Sequence, residues 1–280
     1  MKNSASTCIL TTIFPMPKEY VVDFFRSLSA QSISDFELVI VNDLFDNLDP
    51  LINEYANFKC IVLKAGDTPI ENRERLVSFA IQNQYETIIF ADSDDKFSEN
   101  RVEVVQKYLC EADIVINDVS TFMSNISIDS FYFSEYLEDR QKIKIDMIKE
   151  SNIFGLSNTA MKKNALNKIK LPFPSHLVAL DWYIYSQLLL LDLKAIFTNK
   201  CITFYRQHEN NLVGIGTYSK IDLINILNIR KIHFQAMLDL GHTEYRNCII
   251  YNDILIDRVR DNKLQNVSRD KKNPFWWEID

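Results

Sequence analysis

The feature that most limits what this chain can fold into is an apolar run that ends in three carboxylates, residues 88–95 (IIFADSDD). The run is short and rich in Ile and Phe, so it predicts a buried strand. Because such a strand cannot hold like charges side by side without partners, Asp92, Asp94 and Asp95 must follow its C-terminal end. Ligands bind at that edge of an open α/β sheet, and clustered carboxylates there suit Mg²⁺ or Mn²⁺. The alternative is a polar loop that caps the next helix.

Strand and helix patterns alternate through the first part of the chain, which predicts a parallel sheet covered by helices on both faces. The predicted strands are Thr7–Phe14, Phe36–Val41, Lys59–Leu63, Thr87–Ala91 and Asp113–Asn117. The predicted helices are Lys18–Ala30, Pro50–Tyr55, Pro69–Gln84 and Glu99–Glu111. This order makes the first part, about residues 1–117, a nucleotide-binding half of doubly wound type.

The pattern changes after Asn117, where strands and helices no longer alternate regularly. The predicted elements are a strand at Ile126–Phe133, helices at Asp146–Glu150 and Leu180–Leu191, a strand at Cys201–Tyr205, and two amphipathic helices at Lys220–Leu240 and Thr243–Lys263. The expected organisation is one domain over residues 1–215, with an acceptor half at about 118–215. A C-terminal helical extension is expected to follow over residues 216–280.

Composition excludes several classes of function. The chain has 280 residues and a net charge of −7, which argues against a general nucleic-acid binder. No apolar run approaches the ~20 residues of a membrane span, and the N-terminus does not resemble a signal peptide. The cysteines are widely spaced, as expected for reduced thiols of a cytoplasmic protein. No glycine-rich dinucleotide or P-loop fingerprint occurs.

Six segments, taken in order, resemble the motifs of family 2 glycosyltransferases with the GT-A fold. They are Phe36–Asp43, Gly66 followed by Asn72-Arg73, Asp92–Asp95, Phe154–Met161, Leu180-Asp181-Trp182 and Tyr205–His208. The resemblance covers about residues 5–212. It implies an inverting, metal-dependent transferase that moves a sugar from a nucleotide-sugar, by default a UDP-sugar, to an acceptor. The implied acceptor is a glycan or a lipid-linked molecule in surface polysaccharide synthesis.

Three departures from the family pattern keep other functions open. Asn42 and Leu44 stand in a segment where the family usually has Asp-Asp-Gly-Ser, Leu180 replaces a usual Glu, and Gln187 replaces a frequent Arg. One alternative is a catalytically silent glycosyltransferase-like module that binds a partner or glycan. Another is a sugar nucleotidyltransferase, although the glycine-rich phosphate loop of those enzymes is absent from residues 11–18.

The implied metal site uses the acidic segment. Asp94 is the first choice as ligand of Mn²⁺ or Mg²⁺, and Asp95 is expected to bind the metal directly or through water. His208 would complete the coordination, since imidazole suits Mn²⁺ better than Mg²⁺. The alternative for His208 is a hydrogen bond that fixes a loop.

The implied donor site uses residues of several segments. Asp43 ends the second strand and is expected to reach the nucleobase or ribose, while Asp92 bonds the ribose. Arg73 is expected to contact the base or the diphosphate, and Ser93 and Arg206 belong to the same donor-binding set. The alternatives are a turn-forming role for Asp43 and a solvated helix charge for Arg73.

Asp181 is the expected general base, because the acceptor hydroxyl must lose a proton as it attacks. The alternative is that Asp181 is the N-cap of the apolar helix that follows it. Trp182 is a candidate for stacking on a sugar ring, with packing in the core as the more frequent role of such a residue.

Basic residues alternate with acidic ones near the C-terminus and precede an aromatic cluster. These residues are Arg258, Arg260, Lys263, Arg269, Lys271 and Lys272, followed by Pro274-Phe275-Trp276-Trp277. Such a segment can dock on an anionic membrane surface, which would place a cytoplasmic protein at the inner face of the membrane. Packing back on the domain and a homodimer contact are the alternatives.

Overall fold

The computed structural model describes residues 5–123, 126–129, 131–207 and 219–261. Its strands are β1 (Thr7–Ile13), β2 (Phe36–Asn42), β3 (Lys59–Lys64), β4 (Thr87–Phe90), β5 (Lys96–Phe97), β6 (Ile114–Met123), β7 (Ile126–Asp129), β8 (Lys142–Ile143), β9 (Thr159–Lys162) and β10 (Ala195–Arg206). Its helices are α1 (Lys18–Ser29), α2 (Leu48–Tyr55), α3 (Pro69–Gln82), α4 (Arg101–Leu109), α5 (Ile145–Ile148), α6 (Lys163–Leu166), α7 (Leu180–Leu190), α8 (Lys220–Asp239) and α9 (Tyr245–Arg260).

The strands form one mixed sheet in the order β3-β2-β1-β4-β9-β6-β10-β5, with β7 paired to β6 and β8 paired to β10. The first four strands of this order run parallel to one another. β1 is buried along its whole length and β2 along all but its last residue, as expected of strands that are covered on both faces. The prediction of an α/β fold of GT-A type with a mainly parallel sheet and C-terminal helices is confirmed.

Helices cover both faces of this sheet. Residues of α1, α2 and α4, among them Phe24, Leu51 and Val105, share one apolar cluster with β1 and β2. α3 packs against β1 and β2 with buried residues, such as Leu76, that lie outside that cluster. The Thr68 side chain accepts a hydrogen bond from the Glu71 N–H at the start of α3, which fixes where this helix begins.

Several predictions about strands need correction. The strand predicted at Ile126–Phe133 is β7, which ends at Asp129, and Phe133 begins a short 3-10 helix. β9 was not predicted, and it lies antiparallel between β4 and β6. β6 continues well beyond Asn117, to Met123, and β10 begins at Ala195 instead of Cys201. Four residues of β9 are too few to show a strand period, and the polar residues of β6 and β10 hide their length.

Contacts divide the chain into two compact units. The first contains Met1–Ile143, Phe154–Pro172 and Leu191–Arg206, and the second contains Lys144–Ile153, Phe173–Leu190 and Gln207–Asp280. All ten strands described above belong to the first unit. The second unit is helical in its described residues and contains α5, α7, α8 and α9.

The second unit is built on a hairpin of α8 and α9. Leu223 and Leu227 of α8 pack against Leu255 and Val259 of α9. Ser219 begins α8 with a capping box, in which its hydroxyl accepts a bond from the Asp222 N–H. Within the described residues, no helix is long and apolar enough to cross a membrane.

Candidate functional site

The C-terminal ends of β1, β2 and β4 lie side by side and bring the predicted acidic residues to one edge of the sheet. β1 pairs with β2 so that Ile13 faces Asn42, and the Asp43 N–H donates to the Ile13 carbonyl at 2.7 Å. On the other side of β1, the Ala91 N–H donates to the Leu10 carbonyl at 3.0 Å. The two acidic segments therefore leave neighbouring parts of the same edge.

Asp43 is held by a side chain that the sequence did not mark as a site residue. The Asn72 Nδ2 donates to the Asp43 Oδ2 at 2.9 Å, and the Asn72 Oδ1 accepts from the Gly66 N–H at 2.7 Å. Gly66 allows this close approach, because a Cβ there would lie 2.6 Å from the Cβ of Glu71. Asn72 is buried, so it fixes the Asp43 carboxylate from below the surface.

Arg73 reaches the acidic turn instead of solvent. Its Nη2 lies 2.7 Å from the Asp92 Oδ1, and the two side chains are 20% and 33% exposed. The other terminal nitrogen of the guanidinium, Nη1, is buried without a hydrogen-bond partner among the described residues. Arg73 is therefore an ion-pair partner of the acidic turn and not a solvated helix charge.

The turn of residues 92–95 is fixed by its own backbone and by β1. The Asp95 N–H donates to the Asp92 carbonyl at 3.2 Å, and the Asp92 N–H donates to the Ser157 hydroxyl at 3.3 Å. Ser93 is buried, and its hydroxyl donates to the Thr12 carbonyl at 2.8 Å. The Ser93 hydroxyl thus serves the turn in this structure.

The carboxylates of this turn point in different directions. Asp95 is fully buried, its Oδ1 accepts from the Arg206 N–H at 2.9 Å, and its Oδ2 has no hydrogen-bond partner among the described residues. Asp94 is partly exposed. Asp94 is therefore the acidic residue of this pair that a ligand can reach from solvent.

The pKa values of Asp95 and Asp92 follow from burial and from the neighbouring charges. Burial raises the pKa of Asp95 well above its usual range, and the charges of Asp94 and Asp92 raise it further. Burial also raises the pKa of Asp92, while Arg73 partly offsets that effect. A divalent cation at this turn would offset the part of both pKa shifts that comes from repulsion between the carboxylates.

Two arginines approach the acidic turn from elements distant in the sequence. The Arg206 side chain is 6% exposed, and its Nη2 lies 2.8 Å from the Asp23 Oδ2. Arg101 is buried, donates to the Asn117 Oδ1 at 3.0 Å and the Phe90 carbonyl at 3.3 Å, and lowers the pKa of Asp92 by its charge. Sequence reasoning missed Arg101 and Asp23, since both lie on helices whose patterns indicate ordinary amphipathic packing.

The described residues contain no group of three or more His, Cys, Asp or Glu side chains placed to hold a metal ion. The donors present still fit a divalent cation that is shared with a substrate. Mg²⁺ and Mn²⁺ are commonly held by one or two carboxylates, with phosphate oxygens and water filling the remaining positions. Asp94 can supply such a carboxylate. His208, the third predicted ligand, lies outside the described residues.

Asp181 belongs to the second unit and lies in the first turn of α7, one residue after the helix begins at Leu180. Its Oδ1 accepts a hydrogen bond from the Trp182 N–H at 2.7 Å, and its side chain is partly exposed. An N-cap would instead precede the helix and accept bonds from residues further along it. Asp181 therefore carries a carboxylate near a helix N-terminus, where negative charge is stabilised.

Trp182 packs in the core of the second unit. It is fully buried, its Nε1 donates to the Ile148 carbonyl at 2.7 Å, and its ring stacks on that of His233. The candidate role of Trp182 in stacking on a sugar ring is wrong for this conformation, because no face of the ring reaches solvent.

Leu44 follows Asp43 and replaces the glycine of the family pattern, but it keeps a backbone conformation that favours glycine. Its φ is 63°, and its side chain is 81% exposed. A left-handed conformation costs a leucine ~1–2 kcal/mol. Leu44 borders a cavity of about 600 Å³, whose other lining residues are Pro15, Met16, Lys18, Phe45, Asp46, Asn47, Pro50 and Leu51.

The sheet order and the acidic turn at its C-terminal edge define an α/β protein of the GT-A type. The particular family follows from the sequence, since the model of glycosyl transferase family 2 matches residues 8–169. The chain therefore belongs to glycosyl transferase family 2, and the prediction of a glycosyltransferase of this family is confirmed. No curated protein sequence matches the chain significantly.

Solved structures share the fold at low identity. S. aureus TarS 1–349 in complex with UDP-GlcNAc superposes with a TM-score of 0.59 at 16% identity, covering 82% of this chain and 66% of that chain. Another structure of TarS 1–349 gives a TM-score of 0.60 at 15% identity, with coverages of 92% and 74%. GalNAc-T7 with UDP, GalNAc and Mn²⁺ gives 0.57 at 11% identity, with coverages of 75% and 45%.

Proposed function

We propose that this protein is an inverting, metal-dependent glycosyltransferase that moves a sugar from a UDP-sugar to a glycan or lipid-linked acceptor in surface polysaccharide synthesis. The observation that carries the proposal is the acidic turn at the end of β4, where Arg73 holds Asp92 and Asp94 remains accessible. Proteins of the same fold have been seen with UDP-GlcNAc, and with UDP, GalNAc and Mn²⁺. These likenesses support a UDP-sugar donor and a divalent metal here.

The donor nucleotide is proposed to bind at the C-terminal edge of β1, β2 and β4. Asp43, held by Asn72, would accept hydrogen bonds from the base or ribose. Arg73, which is 20% exposed beside Asp92, would contact the base or diphosphate, while Asp92 bonds the ribose. Ser93 and Arg206 would support this site through the turn that they hold.

Asp94 is proposed to hold Mn²⁺ or Mg²⁺ together with the diphosphate. Asp95 is proposed to bind the cation directly or through water, and His208 is proposed as a further ligand. When bound, the cation neutralises the charge that develops on the diphosphate leaving group. Asp95 keeps its carboxyl buried against the Arg206 N–H and so holds the backbone from which Asp94 projects.

Asp181 is proposed to act as the general base. The acceptor hydroxyl oxygen forms a bond to the anomeric carbon while the bond from that carbon to the diphosphate oxygen breaks. The hydroxyl proton passes to the Asp181 carboxylate, and the configuration at the anomeric carbon inverts. The Trp182 N–H orients this carboxylate through its hydrogen bond to Oδ1.

A thermal-shift screen of nucleoside diphosphates, each with and without Mn²⁺, tests the donor site. A ligand at ~100 times its dissociation constant should stabilise the fold by ~2.7 kcal/mol. We expect UDP with Mn²⁺ to raise the melting temperature more than GDP, ADP or CDP does. Equal shifts with and without Mn²⁺ would contradict the metal dependence.

Slow hydrolysis of UDP-sugars separates the remaining alternatives. A transferase should release UDP from its donor in the presence of Mn²⁺, whereas a silent binding module should bind UDP without releasing it. A sugar nucleotidyltransferase should instead form a nucleotide-sugar from a nucleoside triphosphate and a sugar phosphate. Release of pyrophosphate from a nucleoside triphosphate and a sugar phosphate would identify a nucleotidyltransferase and contradict the present proposal.

The placement of this activity in the chain and the cell is also a proposal. Residues 1–215 would form the glycosyltransferase domain and residues 216–280 a helical extension, in a cytoplasmic protein. From residue 262 the basic and aromatic tail lies outside the described residues. Co-sedimentation of the full chain with anionic vesicles, lost on Trp276→Ala and Trp277→Ala, would support peripheral contact with the inner face of the membrane. Sedimentation as a dimer without vesicle binding would support a homodimer.

A further inference from the structure

The Arg206 side chain connects the acidic turn to a helix that is far from it in the sequence. Its Nε donates to the Asp94 carbonyl at 2.7 Å, and its backbone N–H donates to the Asp95 Oδ1 at 2.9 Å. Its Nη2 donates to the Asp23 Oδ2 of α1 at 2.8 Å. One buried residue thus contacts Asp94 and Asp95 of the acidic turn, and it also contacts α1.

α1 presents two side chains to this guanidinium. Tyr20 and Asp23 are three residues apart and so lie on the same side of the helix. The guanidinium carbon of Arg206 lies 4.2 Å from the ring centroid of Tyr20 and 4.5 Å from that of Phe122 in β6. These two rings pack against the flat cation beside its hydrogen bonds to Asp94 and Asp23.

Asp23 balances two cations at this point. The Lys96 Nζ lies 4.2 Å from the centroid of the same Phe122 ring. Burial lowers the pKa of Lys96, while the charge of Asp23 raises it and that of Arg206 lowers it. The Asp23 side chain is 28% exposed, whereas that of Arg206 is 6% exposed. A buried charge that loses its partner is destabilised, because water cannot replace the lost carboxylate.

We infer that Asp23 is a positioning residue for the acidic turn, and that it acts through Arg206. Asp23 fixes the guanidinium, which holds the Asp94 carbonyl, while the backbone N–H of the same residue, Arg206, holds the Asp95 carboxyl. Together these bonds keep the Asp94 side chain directed at the ligand. The inference rests on the proposed function in that the turn is taken to bind a divalent cation. It assigns Arg206 a bracing role, since its donors are directed at Asp23, Asp94 and Asp95.

The test compares Asp23→Asn with Asp23→Glu and with Glu19→Gln. Glu19 is exposed one turn earlier on α1, so its substitution removes the same charge without touching Arg206. The concentration of Mn²⁺ that gives half-maximal UDP binding is measured by calorimetry for each variant. We expect Asp23→Asn to raise that concentration about 10-fold or more, the scale seen when a residue that orients a metal ligand is lost. Asp23→Glu keeps a carboxylate, so its Mn²⁺ requirement should stay close to that of the wild type. Glu19→Gln should match the wild type.

A measurement without metal examines the link from Asp23 through Arg206 to Asp95 directly. Hydrogen exchange of the Arg206 amide, followed in peptides that span residues 203–207, reports its bond to Asp95. We expect faster exchange in Asp23→Asn than in the wild type or Glu19→Gln. Unchanged exchange together with an unchanged Mn²⁺ requirement would overturn the inference.

A second variant distinguishes a specific effect on the Mn²⁺ requirement from a general loss of stability. Val105→Ala removes a buried side chain of α4 in the same unit without touching Arg206. If Val105→Ala, at an equal loss of melting temperature, raises the Mn²⁺ requirement as much as Asp23→Asn does, Asp23 is only structural and the inference fails. If the wild type binds UDP without any Mn²⁺ dependence, the proposed metal site fails, and the exchange measurement alone decides whether Asp23 braces the turn.

Discussion

Trp182 of α7 and His233 of α8 stack face to face, with ring centroids 4.0 Å apart and ring planes 11° apart. His233 is buried, and neither of its ring nitrogens has a hydrogen-bond partner among the described residues. Burial lowers the pKa of His233 from 6.5 to about 3. A neutral imidazole therefore serves as an apolar packing surface that holds α8 against the helix carrying Asp181.

The free energy of unfolding should decrease at acidic pH, because the folded protein keeps the buried imidazole of His233 neutral. Because the folded pKa lies below the unfolded one, the stabilisation is fully present above pH 6.5 and is lost as the pH falls towards about 3. One proton taken up only by the unfolded state changes the free energy of unfolding by ~1.4 kcal/mol per pH unit. Between pH 7 and pH 5 this proton should lower the free energy of unfolding by about 2 kcal/mol. His233→Phe should abolish that decrease, as measured by urea unfolding. His176→Phe, at an exposed position of the same unit, should leave the pH slope unchanged. Equal slopes for all three proteins would contradict this account.

Asp94→Ala should abolish the metal-dependent part of UDP binding while the fold survives, because this carboxylate is partly exposed at the end of a buried strand. Calorimetry with UDP, in the presence and absence of Mn²⁺, measures the effect. Asp35→Ala is the control, since Asp35 is exposed and lies just before β2, at the opposite edge of the sheet. Wild-type affinity in the Asp94 variant would show that the cation is held elsewhere.

Asp181→Asn should leave UDP binding nearly intact but lower turnover ~10²-fold or more, the usual scale for the loss of a general base. The amide oxygen can still accept the Trp182 N–H, so the start of α7 should be preserved. Asp146→Asn serves as control, because Asp146 is an exposed carboxylate in the first turn of another helix of the same unit. Turnover within a few-fold of wild type would leave Asp181 as a residue that only stabilises the helix start.

Asn72→Ala should weaken both the fold and the nucleotide site. The substitution leaves the Gly66 N–H and the Asp43 carboxylate without their amide partner, at a cost of ~1–3 kcal/mol in the free energy of unfolding. UDP affinity should fall as well, because the Asp43 side chain is then free to turn. Urea unfolding and calorimetry measure the two effects, with Gln82→Ala, an exposed amide of the same helix, as control. Unchanged affinity would separate Asp43 from the nucleotide site.

A chain ended after Ser219 should be poorly soluble or markedly less stable than the full chain. The truncation removes α8 and α9, which pack against each other and, through His233, cover the ring of Trp182. The apolar surface that this truncation exposes should promote aggregation. Size-exclusion chromatography and thermal unfolding measure the outcome. A shortened protein that remains soluble, equally stable and in the same oligomeric state would show that these helices have no structural role.

The sequence alone determined the elements whose signal is local. The apolar runs of β1, β2 and β4 are short, and breaks in polarity mark their ends, so their positions followed from composition and period. The carboxylates of residues 92–95 had to lie beyond β4, because the strand is buried on both faces. The sequence likewise placed α8 and α9 within a few residues of their observed bounds.

The tertiary structure alone decided which distant residues meet at the site. Asp23 and Arg206 are 183 positions apart, and they meet because β10 joins the sheet beside β6 and ends near the acidic turn. The insertion of β9 between β4 and β6 was equally hidden, since strand pairing depends on the packing of the whole sheet and not on four residues. The local sequence around Trp182 does not distinguish a ring that faces a ligand from one that packs in the core. Its burial was settled by the docking of α8, a contact between residues too far apart for any local pattern to record.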